Sequence, residues 1–215
     1  RPGKEDQKSS ELITLRTLGL AYLEEFKLED AEKHFLRFID LAPEEKLGYA
    51  NLGLTYLRMG RYPEAEKHLM KAKKIDPADP DIRLILATVY EMNDQRDRAI
   101  SELEEALTFA QSHVKVLYQI TELYSAKQGP EAQAEREAYL VRLAEAAPAN
   151  LVPKLNLTDV YIRKGELDKA LEQLEIIKKQ FTEFPREAVE YYDKTFKFIR
   201  SQDRTEKNRG YFKGS

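Results

Sequence analysis

The sequence predicts an all-α protein, built as a stack of similar helical hairpins. Tyrosine recurs every 34 residues, at Tyr22, Tyr56, Tyr90 and Tyr124, and Tyr161 follows after 37. Self-similarity at this period is typical of solenoids in which one supersecondary unit repeats. The composition agrees, because Ala, Leu, Glu, Lys and Arg are abundant whereas Gly and Pro number only nine each.

Alignment on the tyrosines divides the central region, residues 11–184, into five repeats. The predicted units are 12–45, 46–79, 80–113, 114–150 and 151–184. A small residue precedes each tyrosine by three positions, where two helices must approach closely and a large side chain would overpack the crossing. These positions hold Gly19, Gly53, Ala87, Thr121 and Thr158.

Each unit also carries signals for its helix ends. Pro43, Pro77 and Pro148 should stop the second helix of their units, because proline lacks the backbone donor and crowds the preceding turn. Gly60 and Gly165 mark the turn between the two helices of a unit. The fourth unit is three residues longer than the others, which predicts a longer second helix there.

The recurring pattern is L-G-x2-Y, then A-x3-F or L, then P. It resembles the tetratricopeptide repeat, and residues 46–77 match that repeat almost throughout. The resemblance implies a right-handed α-solenoid of about five helix-turn-helix units, closed by a C-terminal capping helix. It also implies that the first helices of successive units line a concave groove, which holds an extended peptide or a helix from a partner protein.

Transferring the groove by repeat position gives a set of candidate partner-binding residues, most of them apolar. Aliphatic groups lining an open surface are typical of a site where a ligand buries them. The alternative is that longer neighbours or the chain's own tail cover them. The candidates are Ile13, Arg16, Leu20, Leu23, Leu47, Ala50, Leu54, Leu57, Leu84, Thr88, Glu91, Tyr118, Glu122, Leu155, Asp159 and Ile162.

Three further candidates are amides, Asn51, Gln119 and Asn156, at equivalent positions on the predicted first helices. An amide both donates to and accepts from a peptide backbone, which suits holding an extended segment regardless of its sequence. In some members of the family that the chain resembles, an asparagine ladder acts in this way, although Ile85 interrupts the series here. The alternative, that each amide satisfies a neighbouring helix end, stays open.

Cochaperones of the same family grip the carboxylates of a chaperone's C-terminus with Lys, Asn, Asn, Lys and Arg. The matching positions of the first three units hold Arg16, Leu20, Asn51, Asp81 and Ile85. Only two of these suit the ligand, and the carboxylate of Asp81 would repel it. The sequence therefore argues against chaperone-tail binding.

The two ends of the chain read differently from its centre. Residues 1–10 and 201–215 are predicted to be linkers, and residues 185–200 form a predicted helix that caps the stack. Its apolar stripe consists of Val189, Tyr192, Phe196 and Ile199. Tyr191 and Phe198 lie off that stripe, so they are candidates for a second interface, with a domain neighbour or as a homodimer.

The composition argues against several classes of function. The net charge of -3 argues against a nucleic-acid binder, and no apolar run reaches the roughly 20 residues of a membrane span. There is no cysteine, and the three histidines do not group into a metal site. No phosphate loop, nucleophile elbow or H-E-x-x-H motif occurs, so we expect neither catalysis nor a cofactor nor a metal.

The resulting prediction is a non-catalytic scaffold for protein–protein interaction. An alternative is a structural module of a larger multidomain protein, which packs against neighbouring domains or associates with itself. Because the sequence begins at Arg1, we expect a trimmed or mature fragment, which leaves a cytoplasmic, a periplasmic and a secreted location open.

Overall fold

A computed structural model of the protein describes residues 4–180, 189–190 and 192–201, and these residues contain helices and no strand. The all-α class predicted from the sequence is confirmed. The helices are α1 (Lys4–Glu24), α2 (Leu28–Leu41), α3 (Lys46–Arg58), α4 (Tyr62–Ile75), α5 (Pro80–Met92), α6 (Arg96–Phe109), α7 (Val114–Ser125), α8 (Pro130–Ala146), α9 (Leu151–Lys164) and α10 (Leu167–Gln180).

The chain divides into two compact units, Arg1–Leu123 and Tyr124–Ser215. In the first unit, α1 packs on α2, α3 on α4 and α5 on α6, and α2 and α4 each contact the helix that follows. In addition, α1 contacts α3 and α3 contacts α5. The first helices of successive hairpins therefore lie side by side in one layer, as in the stacked hairpins of a solenoid.

The crossings inside the first two hairpins require glycine. A Cβ added at Gly53 of α3 would lie 2.5 Å from Cγ of Leu69, and one added at Gly19 of α1 would lie 2.6 Å from Cε1 of Phe35. Leu69 and Phe35 are fully buried, so neither can move aside without disturbing the core. The small residues of the repeat pattern thus mark the closest approach of the two helices.

In the first, second, third and fifth hairpins, the turn between the two helices contains one residue in the left-handed region. Gly60 (φ +73°) and Gly165 (φ +74°) occupy it, as the sequence predicts. The equivalent positions of the first and third hairpins hold Phe26 (φ +57°) and Asp94 (φ +56°). Because glycine alone adopts this conformation without steric cost, Phe26 is a strained position.

Two of the repeated tyrosines join their hairpin to the preceding one. Tyr56 Oη donates to Glu32 of α2 over 2.7 Å, and Tyr90 Oη donates to Glu66 of α4 over 3.0 Å. Burial, and then the bond to Glu32, raises the pKa of Tyr56 to about 12. A cation also lies over each repeat tyrosine: Lys27 over Tyr22, Arg61 over Tyr56, Arg98 over Tyr90, Lys127 over Tyr124 and Lys169 over Tyr161.

A buried ionic network links α5 to its neighbours. Arg83 is only 1% exposed, and its guanidinium lies 3.0 Å from Glu102 and 2.6 Å from Glu105. The same group donates to the Pro77 carbonyl over 2.8 Å. Beside it, Asp79 caps α5, since its side chain accepts from the backbone N–H groups at the start of that helix.

In the second unit, α8 packs on α9 and α9 on α10. With 17 residues, α8 is longer than the 14-residue α2, α4, α6 and α10, as the insertion in the fourth repeat predicts. Helical residues 192–201 add Ile199, fully buried, to the α9–α10 core, with Tyr192 and Phe196 packed against it. Val189 is 40% exposed, so its predicted place in that stripe is wrong.

Candidate partner-binding groove

The layer of first helices in the first unit presents an accessible apolar face. Ile13 on α1 is 67% exposed, Leu47 on α3 is 36% exposed and Tyr118 on α7 is 49% exposed. Half-buried candidates are Leu20 on α1, Leu54 and Leu57 on α3, and Leu84 and Thr88 on α5. We call these eight residues the first-unit groove residues. None of the eight side chains is sealed inside the hairpins, so a ligand could still bury more of their surface.

Charged candidates flank this apolar face, and they differ in sign from one end to the other. Arg16 on α1, Glu91 on α5 and Glu122 on α7 are all exposed. A partner lying across α1, α3, α5 and α7 would therefore meet a cation at the first helix and carboxylates at the last two.

Two of the predicted groove residues are buried instead. Leu23, in the last turn of α1, is 3% exposed, and its backbone carbonyl accepts from Arg58 of α3 over 2.9 Å. Ala50 is 8% exposed and belongs to a core cluster with Tyr49, Ala72 and Ile82. Because both side chains are buried, neither is available to a partner.

The three amides do not act alike. Gln119 of α7 donates to Thr88 Oγ1 over 3.1 Å and to Glu91 Oε2 over 3.2 Å, so its amide joins α7 to α5. Among the described residues, the side chains of Asn51 and Asn156 form no hydrogen bond. The alternative of a structural amide thus holds for Gln119, whereas Asn51 and Asn156 keep their amides available.

The second unit carries the remaining candidates on α9. Leu155, Asn156, Asp159 and Ile162 are all half-buried there. Beside them, α8 and α9 enclose a cavity of about 140 Å³. Its lining residues are Gln133, Arg136, Asn156, Asp159, Val160, Arg163 and Lys164. The sequence candidates were chosen by groove position on the first helices, which left out α8 and the other positions of α9. They therefore did not include Gln133, Arg136, Val160, Arg163 and Lys164.

The cations of this cavity differ in their pairing. Lys164 Nζ lies 2.7 Å from Glu137 and 2.9 Å from Glu166, and these two carboxylates raise the pKa of the lysine. The Nε atom of Arg136, in contrast, is buried without a hydrogen-bond partner among the described residues. Arg163 is exposed and forms no ion pair with any described residue.

Phe198, a candidate for a second interface, is 48% exposed. Tyr191, the other candidate, lies outside the described residues.

The described part of the chain contains neither a candidate metal cluster nor a candidate membrane span. No group of three or more histidine, aspartate or glutamate side chains in that part of the chain has the arrangement of a metal site. His34 and His68 instead pack at equivalent positions, with their rings 5.1 Å from Tyr22 and 5.4 Å from Tyr56. None of the helices described is at once long and apolar enough to cross a membrane.

Comparison with known proteins identifies the repeat. Residues 47–79 match the family model of the tetratricopeptide repeat. A search of curated protein sequences finds no match. The second repeat of the chain is therefore a tetratricopeptide repeat, and the resemblance stated from the sequence is confirmed.

Solved structures extend the likeness to most of the chain. PilF of Pseudomonas aeruginosa has a TM-score of 0.67 at 15% identity, and 97% of this chain covers 95% of that one. The MamA protein has a TM-score of 0.63 at 16% identity, covering 82% and 100% of the two chains. YrrB, described as a tetratricopeptide-repeat protein with an unusual peptide-binding site, has a TM-score of 0.58 at 20% identity, covering 82% and 90%. The chain thus has the fold of tetratricopeptide-repeat proteins.

Proposed function

We propose that this protein is a non-catalytic scaffold, which binds an extended peptide or a partner helix on the first-unit groove residues. The observation that carries the proposal is the accessible apolar face on α1, α3, α5 and α7, led by Ile13 and Tyr118. Such a face is the usual docking surface for a helix or strand from another protein. Proteins of the tetratricopeptide-repeat class act as interaction scaffolds, and YrrB, which shares the fold, has a peptide-binding site.

The flanking charges also predict the direction in which a ligand lies across this face. Arg16 favours an acidic group at one end of the ligand, and Glu91 and Glu122 favour a basic group at the other. An apolar segment with charge of opposite sign at its two ends fits this face in one direction only.

The proposal is tested by affinity capture of partners with the intact chain and two groove variants. Tyr118→Ala removes a half-exposed ring, and Leu54→Glu places a charge in the middle of the face. Both should abolish capture of a partner that the unaltered chain retains, while circular dichroism melting stays nearly unchanged. Met70→Glu is the matched control, because Met70 is 44% exposed on a second helix, α4, and should not affect capture.

Unchanged capture by both groove variants would refute this function. A large loss of thermal stability in Tyr118→Ala would also count against it, since that would make the ring part of the core rather than of a binding surface.

The second candidate function is assembly, in which the chain packs against a neighbouring domain or a second copy. The exposed ring of Phe198 favours it, because the described helix that bears this ring already buries the neighbouring Ile199 in the core. Light scattering across a range of concentrations should then show a dimer that Phe198→Glu abolishes and Lys197→Glu leaves intact. A monomer at every concentration would favour external ligands instead.

A further inference from the structure

Three exposed residues, Thr14, Leu18 and Ala21, form one side of α1 that we call its outer face. They are spaced by four and three positions, so they share a side of the helix. Leu18 is 41% exposed, whereas the equivalent residues of the four later repeats are at most 2% exposed. Those equivalents are Leu52, Leu86, Ile120 and Leu157. The first repeat therefore leaves open an apolar position that the others bury.

The next two first helices show what covers this position inside the stack. A Cβ added at Gly48 of α3, the equivalent of Thr14, would lie 2.8 Å from Cγ1 of Ile39 on α2. On α5 the equivalent residue, Ile82, belongs to a core cluster that includes Ala72 of α4. In both cases the cover is the second helix of the preceding hairpin. None of the described residues covers the outer face of α1 in this way, so Leu18 stays exposed.

The covering helix also supplies a carboxylate at each of these junctions. Glu32 of α2 accepts from Tyr56 Oη over 2.7 Å, and the guanidinium of Arg61 lies 3.6 Å from the same carboxylate. The next junction has the same three groups, in Glu66, Tyr90 and Arg98. A phenol and a cation on one hairpin thus hold a glutamate of the helix before it.

The first repeat presents the phenol and the cation without the glutamate. Tyr22 is the equivalent of Tyr56, and Lys27, the equivalent of Arg61, has its Nζ 5.9 Å from the centre of the Tyr22 ring. Among the described residues, Tyr22 Oη has no hydrogen-bond acceptor. Lys27 pairs with Glu25 at the surface, where both side chains are more than half exposed. Because an exposed pair of this kind is weak, Lys27 can turn to another carboxylate.

We propose that the outer face of α1 docks an amphipathic helix of a partner protein, seated as α2 is seated on α3. A glutamate of that helix accepts from Tyr22 Oη and pairs with Lys27. An apolar residue seven positions later, two turns along, packs beside Thr14 as Ile39 packs beside Gly48. This face is a second surface of the proposed scaffold, and the inference does not rest on the first-unit groove residues.

The C-terminal end of a second copy is a poor match for this face. On α10 the position equivalent to Glu32 and Glu66 holds Leu171, so a copy stacked head to tail would bring no carboxylate to Tyr22. The α10 residue Ile177 is already buried in a cluster with Ile199 of the helical residues 192–201. The charge pattern therefore favours a helix from a different protein.

A peptide of residues 28–41, the sequence of α2, is the probe for this inference. A side-chain lactam between positions 33 and 37, both exposed on α2, holds it helical. The fluorescently labelled peptide is titrated with the full chain, and its anisotropy should rise to saturation. The same peptide with Glu32→Gln should bind about tenfold more weakly, as expected for the loss of one charge-assisted hydrogen bond.

Two substitutions in the full chain test the face itself. Leu18→Glu should weaken binding of the peptide at least about tenfold, because a charge then replaces the apolar contact. Leu36→Glu is the matched control, since Leu36 is also 41% exposed, and its equivalent Met70 stays 44% exposed inside the stack. It should leave the affinity unchanged.

Tyr22→Phe tests the hydrogen bond while keeping the ring. It should weaken binding of the unaltered peptide about tenfold and have no further effect on the Glu32→Gln peptide, because both changes remove the same bond. Tyr118→Ala in the groove should leave every titration unaltered. The titrations thus decide the outer face alone, whereas the groove is decided by the capture experiment.

Saturable binding that Leu18→Glu weakens and Leu36→Glu does not would support the inference. It is overturned if no saturable binding occurs, or if the two glutamate variants, both folded by circular dichroism, weaken binding equally. Additive losses from Tyr22→Phe and the Glu32→Gln peptide would refute the assigned pair. Light scattering that showed self-association of the chain, abolished by Leu18→Glu, would make a second copy the occupant and overturn the choice of a different protein.

Discussion

Phe26 is held in a conformation that disfavours it. Its φ of +57° lies in the left-handed region, and its ring is 72% exposed, with the Arg58 guanidinium 5.5 Å from its centre. Phe26→Gly should raise the free energy of unfolding by about 1 kcal/mol, because glycine loses the clash of Cβ with the backbone. Urea denaturation measures the change.

Phe26→Ala provides the control for that prediction. Alanine removes the ring but keeps Cβ, so it should recover little of the stability that glycine adds. A gain as large for alanine as for glycine would show that the ring, rather than the backbone, causes the strain.

His68 should make stability depend on pH. Burial, and then the nearby charges of Lys67 and Lys71, lower the pKa of its imidazole, whose Nδ1 is buried without a partner in the part of the chain that the structure describes. The unfolded chain therefore binds a proton at His68 more readily than the folded chain does. The stabilisation from the neutral imidazole is fully present above about pH 6.5, and it is lost as the pH falls from about 6.5 through the lower pKa of the folded state. Urea denaturation at a series of pH values should show less acid sensitivity in His68→Gln.

His34→Gln is the matched control, because His34 occupies the equivalent position one repeat earlier and contacts Tyr22. Its ring nitrogen lies 2.7 Å from the Asp30 carbonyl, a partner that His68 Nδ1 lacks. A His68→Gln variant as acid-sensitive as the unaltered chain would contradict the assignment.

At the scale of single residues, the sequence predicts the spacing of residues along the chain better than the solvent exposure of their side chains. The period of the tyrosines and the left-handed turn at Gly60 are local properties, and both could be derived from residue types. The burial of Leu23 and Ala50 could not, because it depends on where the following helices pack. Alignment to a repeat places a residue on a helix but does not measure the space around it.

At the scale of the element, the crossing of α3 and α4 depends on Gly53. Gly53→Ala should lower the free energy of unfolding by about 1 to 3 kcal/mol, since the new Cβ would overlap Leu69. In a Leu69→Ala background the same substitution should cost much less, because the overlapping atoms are gone. Thermal and urea denaturation of the four proteins measure the coupling, and strictly additive losses would contradict a clash at this point.

The helices could be predicted from the sequence, whereas the cavity between α8 and α9 could not. Proline and glycine mark helix ends by local sterics, which is why the longer α8 could be foreseen from an insertion. Which side chains of α8 and α9 line that cavity depends on how one helix rotates against the next. No periodic pattern in the sequence determines that rotation to within one side chain.

For the whole molecule, each of the two compact units has its own core. Leu69 in the first unit and Leu174 in the second are both fully buried. Leu174→Ala should accelerate amide hydrogen exchange in α9 and α10 and leave α3 and α4 protected, because repeat stability is dominated by nearest neighbours. Leu69→Ala should show the reverse pattern.

Each substitution should cost about 2 to 5 kcal/mol of local stability, and the two losses should add to within about 0.5 kcal/mol. Equal acceleration throughout the chain by either variant would show one cooperative unit instead. The sequence predicts a continuous array over residues 11–184 and contains no mark at the division after Leu123. The division into two units reflects contacts summed over many residues, and a regular repeat pattern in the sequence does not reveal it.

The tyrosines at the hairpin junctions give the protein an intrinsic spectroscopic probe. It contains twelve tyrosines and no tryptophan, so phenol groups dominate its absorbance near 280 nm. Since Tyr56 ionises at a pKa of about 12, an alkaline titration followed near 295 nm should separate it from phenols that ionise near pH 10. Opening of a single junction would therefore register as an early ionisation, without any dye or label attached.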